Sequence, residues 1–315
     1  LTRNLMIFGQ GAMRCHPHLK EMVDLIYSEE KSADAQFNKV LRKTVGFSVK
    51  NAFRSLFRSY LPFVRGAQSS LPEVRGYEKR LNALSAKLAP MADLSLAVLG
   101  GDLKKAELLS ARLGDIMSYL YGAMAAIRFY EQRIEDRQQA KPYFDYAMQW
   151  SLQQAEQALV NFVRNFPNTP TRCLMRLLTA TYSGSVSTIS DDLIRELSMA
   201  ALQDNSVKAQ LTHLVQPVAG DGNDINEQAF KAKHKVLPLL GKVQKALRKE
   251  PVVPFLSFEN ALNKLQERGV VTAEEARDLH DYNEKRKLAV RVDEFTFDLE
   301  LISAEAPSQE TKDAA

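Results

Sequence analysis

Helical periodicity is the feature that most constrains how this chain can fold. Apolar residues recur every three or four positions over long runs, as at Leu103, Ala106, Leu109, Leu113, Ile116, Leu120, Met124 and Ile127. This spacing places them on one face of an α-helix, and that face must be buried against other elements. No run shows the strict alternation of a strand, and residues 290–301 come nearest. The periodicity therefore predicts an all-α fold.

Residues typical of turns and helix caps mark where one helical pattern ends and the next begins. Between residues 77 and 166 three long helical patterns follow one another: the first ends at Gly100-Gly101, the second begins near Asp102, and the third begins near Pro142 and ends before Pro167. Long helices joined by short polar connections predict an antiparallel helical bundle.

The C-terminal part also carries helix signals, so it is predicted as a further helical region. Ser190 precedes two acidic residues and is expected to open a helix. Thr272 and Glu275 have the spacing of a capping box, in which each side chain satisfies the backbone N–H of the other. From residue 303 the chain is small and polar, and we expect a disordered tail over 303–315.

Composition excludes some functions. The 42 basic and 38 acidic residues leave a net charge of only +4, too balanced for a dedicated nucleic-acid binder. Cys15 and Cys173 form no disulfide framework, which suits a reducing compartment. No uncharged apolar stretch approaches the roughly 20 residues of a membrane-spanning helix. We therefore expect a soluble or membrane-peripheral protein.

The segment 41–65 carries the strongest positive signal. Its cations are Arg42, Lys43, Lys50, Arg54, Arg58 and Arg65, and it has no acidic residue. Val49, Phe53, Leu56, Phe57 and Tyr60 fall on one helical face. Such a helix suits the surface of an anionic membrane, a core position with solvated arginines, or a groove for a polyanion. For membrane contact the predicted residues are Lys50, Phe53, Arg54, Phe57 and Arg58.

Motifs with catalytic or ligand-binding chemistry are weak. Residues 9–11 (Gly-Gln-Gly) resemble the opening of a dinucleotide fingerprint, but Arg14 replaces its third glycine and no strand precedes it. Residues 15–18 (Cys-His-Pro-His) gather three possible metal ligands, yet the proline breaks their helical spacing and no second ligand cluster follows. Adjacent carboxylates such as Glu29-Glu30 diverge by about 100° on a helix. The sequence predicts no metal site and no active site within the chain.

Several ungapped stretches, however, resemble one enzyme family. They are residues 1–17 (Leu-Thr-Arg-Asn-Leu-Met-Ile-Phe-Gly-Gln-Gly-Ala-Met-Arg-Cys-His-Pro), 81–86, 97–101, 110–116, 154–158 and 165–168. These stretches resemble the large proteobacterial long-chain acyl-coenzyme A dehydrogenases. The resemblance covers the first half of the chain well and thins after residue 169.

This resemblance implies that the catalytic residue is not in this chain. In the family a Glu-Gly-Ala-Asn motif precedes the Leu-Thr-Arg that begins here, and its glutamate removes the substrate's α-proton while the β-hydride passes to flavin N5. The base is therefore expected just upstream of Leu1. Thr2 and Arg3 match positions near the flavin, although Thr2 departs from the amide residue common in the wider family.

The resemblance also implies a function, a domain order and partners. Residues 1–66 would end the catalytic helical domain, 67–170 form a helical bundle, and 171–302 form a C-terminal extension. The parent would use FAD to oxidise long- and medium-chain acyl-CoA to trans-2-enoyl-CoA in fatty acid β-oxidation. It would pass electrons to electron-transfer flavoprotein, form a homo-oligomer, and lie in the cytoplasm or peripherally at the inner membrane. The fragment alone would bind little flavin and be inactive.

A different reading follows from the residues themselves. The lack of an internal catalytic constellation, together with the segment 41–65, favours a non-catalytic helical module for membrane docking or dimerisation.

Overall fold

The computed structural model describes residues 16–26, 33–61, 66–181, 188–215, 218–248, 258–292, 294–295 and 301–302. Within these residues the chain forms eleven α-helices, so the predicted all-α fold is confirmed. The helices are α1 (Leu19–Ile26), α2 (Ala33–Tyr60), α3 (Pro72–Leu99), α4 (Glu107–Gln132), α5 (Arg137–Arg164), α6 (Thr169–Thr179), α7 (Asp191–Ala201), α8 (Ser206–Thr212), α9 (Gly222–Arg248), α10 (Phe258–Glu267) and α11 (Ala273–Ala289). A 3₁₀ turn, Gly100–Lys104, follows α3.

Several predicted helix ends are confirmed. The Ser190 hydroxyl accepts the Leu193 N–H at 3.3 Å and opens α7. Thr272 and Glu275 form the full capping box of α11. Gly100 ends α3 with φ +51°, a backbone conformation that costs glycine little because it lacks a Cβ.

Two predicted helix starts are wrong. α4 begins at Glu107 instead of Asp102, because the intervening residues form the 3₁₀ turn that buries Leu103. α5 begins at Arg137, since Asp136 caps it by accepting the Gln139 N–H at 3.0 Å. Pro142 therefore lies inside the second turn, where its missing N–H leaves one helical hydrogen bond unmade.

The chain divides into two compact units, residues 1–211 and 212–315. In the first, α4 packs along α5, and α3 packs against α2, α4, α5 and α6. Tyr130 near the end of α4 stacks on Phe144 near the start of α5, with ring centroids 4.1 Å apart, so these helices run antiparallel. The largest fully buried side chains of this core include Phe162, Phe166 and Leu113.

One described segment, Pro72–Leu103, is long and apolar enough to cross a membrane by length and composition alone. It comprises α3 and the 3₁₀ turn. Val74, Leu84 and Met91 of α3 are buried in the first core. The core helix of a globular bundle can pass the same test, so length and composition alone do not make this segment a membrane span.

In the second unit α9 and α10 pack against α11 around a smaller core. Its buried apolar residues are Val236, Val243, Leu262, Leu265, Val271, Ala276 and Leu279. Two short strands, β1 (Glu294–Phe295) and β2 (Leu301–Ile302), pair antiparallel with Phe295 opposite Leu301. They lie at the segment whose sequence came nearest to strand alternation.

The boundaries at 66/67 and 170/171 remain predictions about domains. Helices from both sides of each boundary contribute to the first core: Leu56 of α2 packs with it, as do Met175 and Leu178 of α6.

Candidate functional site

Helix α2 exposes most of the apolar face that the sequence predicts. The side chains of Val49, Phe53, Phe57 and Tyr60 are 49%, 57%, 55% and 47% exposed, and Leu56 is half-buried. A polar face is turned inward instead. An apolar stripe left in water is unfavourable in proportion to its area, so this surface is a candidate for contact with another molecule.

Hydroxyl groups hold α2 in this orientation. The Ser55 and Ser59 hydroxyls both donate to the carbonyl oxygen of Leu178, at 2.8 and 3.0 Å, and the Tyr60 hydroxyl donates to that of Leu177 at 3.1 Å. These carbonyls belong to the last turn of α6, where helical acceptors have no partner within the helix. Satisfying them with α2 side chains explains why the serine face is buried and the phenylalanine face exposed.

The cations of α2 flank the exposed stripe. Lys50 and Arg54 are exposed, and Arg54 donates to the Asn51 side-chain oxygen at 3.4 Å. Arg58 is half-buried and donates to the Asn82 carbonyl at 2.9 Å, which fixes it to α3. The only acidic residue of α2 is Asp34 in its first turn, so the rest of the helix carries cations without an acidic residue of its own.

An apolar groove of about 470 Å³ lies beside this stripe, between α1, α2, α3 and α6. Its outer wall is formed by Leu41, Val45 and Val49 of α2, each partly exposed. Leu94 of α3 and Leu174 of α6 lie across from them. The groove and the exposed stripe therefore form one continuous apolar surface.

A polar cluster lines the inner side of the groove. His16 Nε2 lies 3.8 Å from Asp93 Oδ1, and the Asn51 side-chain amide donates to Asp93 Oδ2 at 3.1 Å. The Phe47 ring meets the His16 ring edge-on with centroids 5.4 Å apart. Burial lowers the pKa of His16, the Asp93 carboxylate opposes this shift, and neighbouring His18 adds to it. Asp93 thus has polar partners before any ligand binds.

A second cavity of about 660 Å³ lies between the 66–71 loop, α3 and α4. Its carboxylates already have partners. Glu78 accepts the backbone N–H groups of Gln68 and Ser69 at 2.8 and 3.0 Å, and the Ser69 hydroxyl bonds Glu131. These bonds hold the loop, so we assign the cavity a structural role.

The second unit brings together three side chains that could bind a metal, which their positions in the sequence do not show. One side-chain ligand atom each of Glu259, His280 and Glu284 lie within 4.8 Å of one another. The Lys287 ammonium bonds both carboxylates, at 2.7 and 2.9 Å. This hydrogen bond lowers the pKa of Glu259 and raises that of Lys287. Lysine already supplies the positive charge that a metal would bring.

Residues 13–295 match the family model of the bacterial-type C-terminal domain of acyl-CoA dehydrogenases. The chain belongs to this family. The resemblance seen in the sequence is therefore confirmed, and it extends through both compact units. No solved structure matches the chain significantly.

Acyl-CoA dehydrogenases are oxidoreductases that generally bind FAD. The lining of the groove can therefore be compared with what FAD needs. The described lining of the groove is mainly apolar, and its polar residues are His16, Thr44, Ser48 and Asp93. This lining does not fit the pyrophosphate of FAD, which needs donors rather than a carboxylate. Thr2, Arg3 and the Gly-Gln-Gly of residues 9–11 lie outside the described residues, as does the region of the expected base.

The predicted membrane contacts of the acyl-CoA dehydrogenase domain all lie on α2. Phe53, Phe57, Lys50 and Arg54 are exposed, whereas Arg58 is half-buried against α3. Sequence reasoning missed the groove. The sequence contains its polar residues, His16 in the Cys-His-Pro-His motif and Asp93 before an apolar run, but nothing in their spacing shows that they meet.

Proposed function

We propose that this chain is the C-terminal part of an FAD-dependent acyl-CoA dehydrogenase that oxidises long- and medium-chain acyl-CoA to trans-2-enoyl-CoA in fatty acid β-oxidation. The family match over residues 13–295 supports this proposal. The electron acceptor would be electron-transfer flavoprotein, and the enzyme would act as a homo-oligomer in the cytoplasm or at the inner membrane.

The base in this proposal is the glutamate of a Glu-Gly-Ala-Asn motif encoded immediately before Leu1. Proton removal needs a carboxylate of suitable pKa in a site that excludes water. Reading the upstream coding sequence checks the motif directly. The full gene product, loaded with flavin, should reduce a dye with palmitoyl-CoA, and glutamate-to-glutamine substitution at the motif should abolish turnover. A folded, flavin-loaded product without turnover would contradict the proposal.

This chain alone should bind little flavin and show no turnover, because the proposal places the catalytic base and most flavin contacts upstream of Leu1. To measure flavin binding, the chain is incubated with FAD and passed through gel filtration, and the flavin absorbance that stays with the protein is recorded. Stoichiometric flavin retention would contradict it.

A second function, peripheral membrane docking through α2, is favoured by the exposed stripe. Phe53 and Phe57 would enter the lipid interface while Lys50 and Arg54 contact anionic headgroups, each cation contributing about 1 kcal/mol near the surface. The structure also suggests which cations to reverse: Arg58 contacts Asn82, so changing it would disturb packing.

The docking test is sedimentation with vesicles of phosphatidylserine and phosphatidylcholine. The double variant Lys50→Glu/Arg54→Glu should lower the bound fraction more than tenfold at low salt. Arg164→Glu, an exposed site on α5, is the matched control and should bind normally. Unchanged binding of the double variant would show that α2 is not the docking element.

A further inference from the structure

We propose that Glu259, His280 and Glu284 bind one divalent transition-metal ion, with Zn²⁺ as the best match to their chemistry. The site joins α10 to α11 in the second compact unit. It goes beyond the dehydrogenase function and does not rest on it, because metal binding is measured without turnover.

The helices place these three side chains where one ion reaches them together. His280 and Glu284 are four residues apart on α11 and therefore lie on the same face of that helix. Glu259 approaches them from the first turn of α10. One ligand atom from each side chain lies within 4.8 Å of the other two. In a tetrahedral site with bonds of about 2.1 Å, ligand atoms are about 3.4 Å apart, so small side-chain rotations complete the site.

The ligand set selects the kind of ion. An imidazole nitrogen with two carboxylate oxygens is a set that Zn²⁺ accepts, whereas Mg²⁺ and Ca²⁺ prefer oxygen ligands alone. Two carboxylates also match the double charge of the ion. Because the Glu259 and Glu284 side chains are about half exposed, an ion can enter from solvent and keep a water molecule as its fourth ligand.

Lys287 shows independently that these carboxylates gather around a cation. Its ammonium donates to Glu259 at 2.7 Å and to Glu284 at 2.9 Å, and so brings carboxylates of two different helices to one point. The lysine side chain is about half exposed and has a flexible stem, so it can turn into water when a divalent ion takes its place. Exposed ion pairs contribute little, which makes this exchange inexpensive. Lys287 is therefore a competitor of the metal.

Isothermal titration calorimetry of the full chain with zinc chloride tests the site. The Cys173→Ser form is used throughout, because an exposed thiol also binds zinc. It should bind one Zn²⁺, and Mg²⁺ more weakly. His280→Ala and Glu284→Gln should each weaken zinc binding at least about tenfold, since each removes one of three ligands. Both positions are exposed, so the fold should be retained, as circular dichroism checks. Glu267→Gln, exposed on α10, is the matched control and should bind normally.

Removing the competing lysine should have the opposite effect. Lys287→Met should strengthen zinc binding at least about twofold, because the ion no longer displaces an ammonium from the two carboxylates. Lys285→Met is the matched control: it removes the same charge from α11, but this lysine bonds Asp281 at 2.7 Å. Its effect should be smaller. Equal effects of the two substitutions would overturn the exchange of Lys287 for the ion.

Two further results would overturn the metal site itself. The first is the absence of saturable zinc binding, or equal zinc affinity with and without His280. The second comes from Co²⁺, whose visible absorption reports its ligands. Bound Co²⁺ should show no thiolate charge-transfer band, since the proposed ligands are nitrogen and oxygen. Such a band would assign the ion to Cys15, the cysteine that remains.

Discussion

The two compact units bury their helices in different ways. The first unit has a large core with fully buried aromatic rings such as Phe162 and Phe166. The second has a small aliphatic core and places charged pairs between its helices, among them Lys235–Asp278 at 2.6 Å and Lys242–Glu275 at 3.3 Å, both joining α9 to α11. These lysines are largely exposed.

This difference indicates how each unit is specified. Aromatic burial supplies stability that salt hardly affects, whereas exposed ion pairs contribute little and are screened by salt. We therefore regard the second unit's pairs as fixing helix register more than stability. The same contrast predicts which substitutions have large effects.

The largest loss of stability should come from removing a large side chain from the first core. Phe162→Ala removes a fully buried ring and should lower the free energy of unfolding by about 3–5 kcal/mol, because the cavity relaxes only partly. Urea denaturation followed by circular dichroism measures this. Tyr121→Ala, 70% exposed on α4, is the control and should change stability by no more than about 0.5 kcal/mol. Equal losses in both variants would contradict the proposed core.

The first unit also contains an ion pair with bidentate geometry. Arg80 of α3 donates both Nε and Nη2 to Glu156 of α5, at 2.9 and 2.7 Å. Burial lowers the pKa of Lys87, and Glu156 opposes this shift. Glu156→Gln should cost about 1–2 kcal/mol, since the bidentate pair is partly shielded from solvent.

The control for that pair is Asp192→Asn, which removes the exposed partner of Arg195 and should have little effect. The pKa of Lys87 should fall further in Glu156→Gln, as measured by NMR titration of its side chain. A Lys87 pKa that does not move would show that Glu156 does not act on it.

In the second unit the largest single polar contribution should be a helix cap. Thr272→Ala leaves the Glu275 N–H without its acceptor and should lower unfolding free energy by about 1 kcal/mol. Thr272→Ser keeps the hydroxyl and is the control. Thermal unfolding of both variants measures the difference, and identical midpoints would mean that the capping box does not stabilise the unit.

The smallest effect concerns His16. Because burial lowers its pKa in the folded state, the unfolded chain binds the proton more tightly. Stability should therefore fall as pH drops from about 6.5 to the lowered pKa, and level off below it. His16→Gln should flatten this part of the pH profile of the melting temperature.

Much of the fold could be predicted because its signals are local. The Thr272–Glu275 box and the Ser190 cap depend on residues three apart, and periodicity identifies the long helices. The starts of α4 and α5 were predicted wrongly, because Asp102 and Pro142 both resemble start signals, whereas the helices begin at Glu107 and Arg137. The orientation of α2 could not be predicted from the sequence either. It depends on hydrogen bonds to a helix more than 100 residues away, which determine which face is buried.

The bond from Ser55 to the Leu178 carbonyl has a consequence for biosynthesis. The two residues are separated by 123 positions, and translation at about 5–20 residues per second takes roughly 6–25 s to add them. Throughout that interval the nascent α2 has emerged without the acceptor that orients it. Ser55, which the folded bundle buries, is then open to water and to chaperones until the bundle closes.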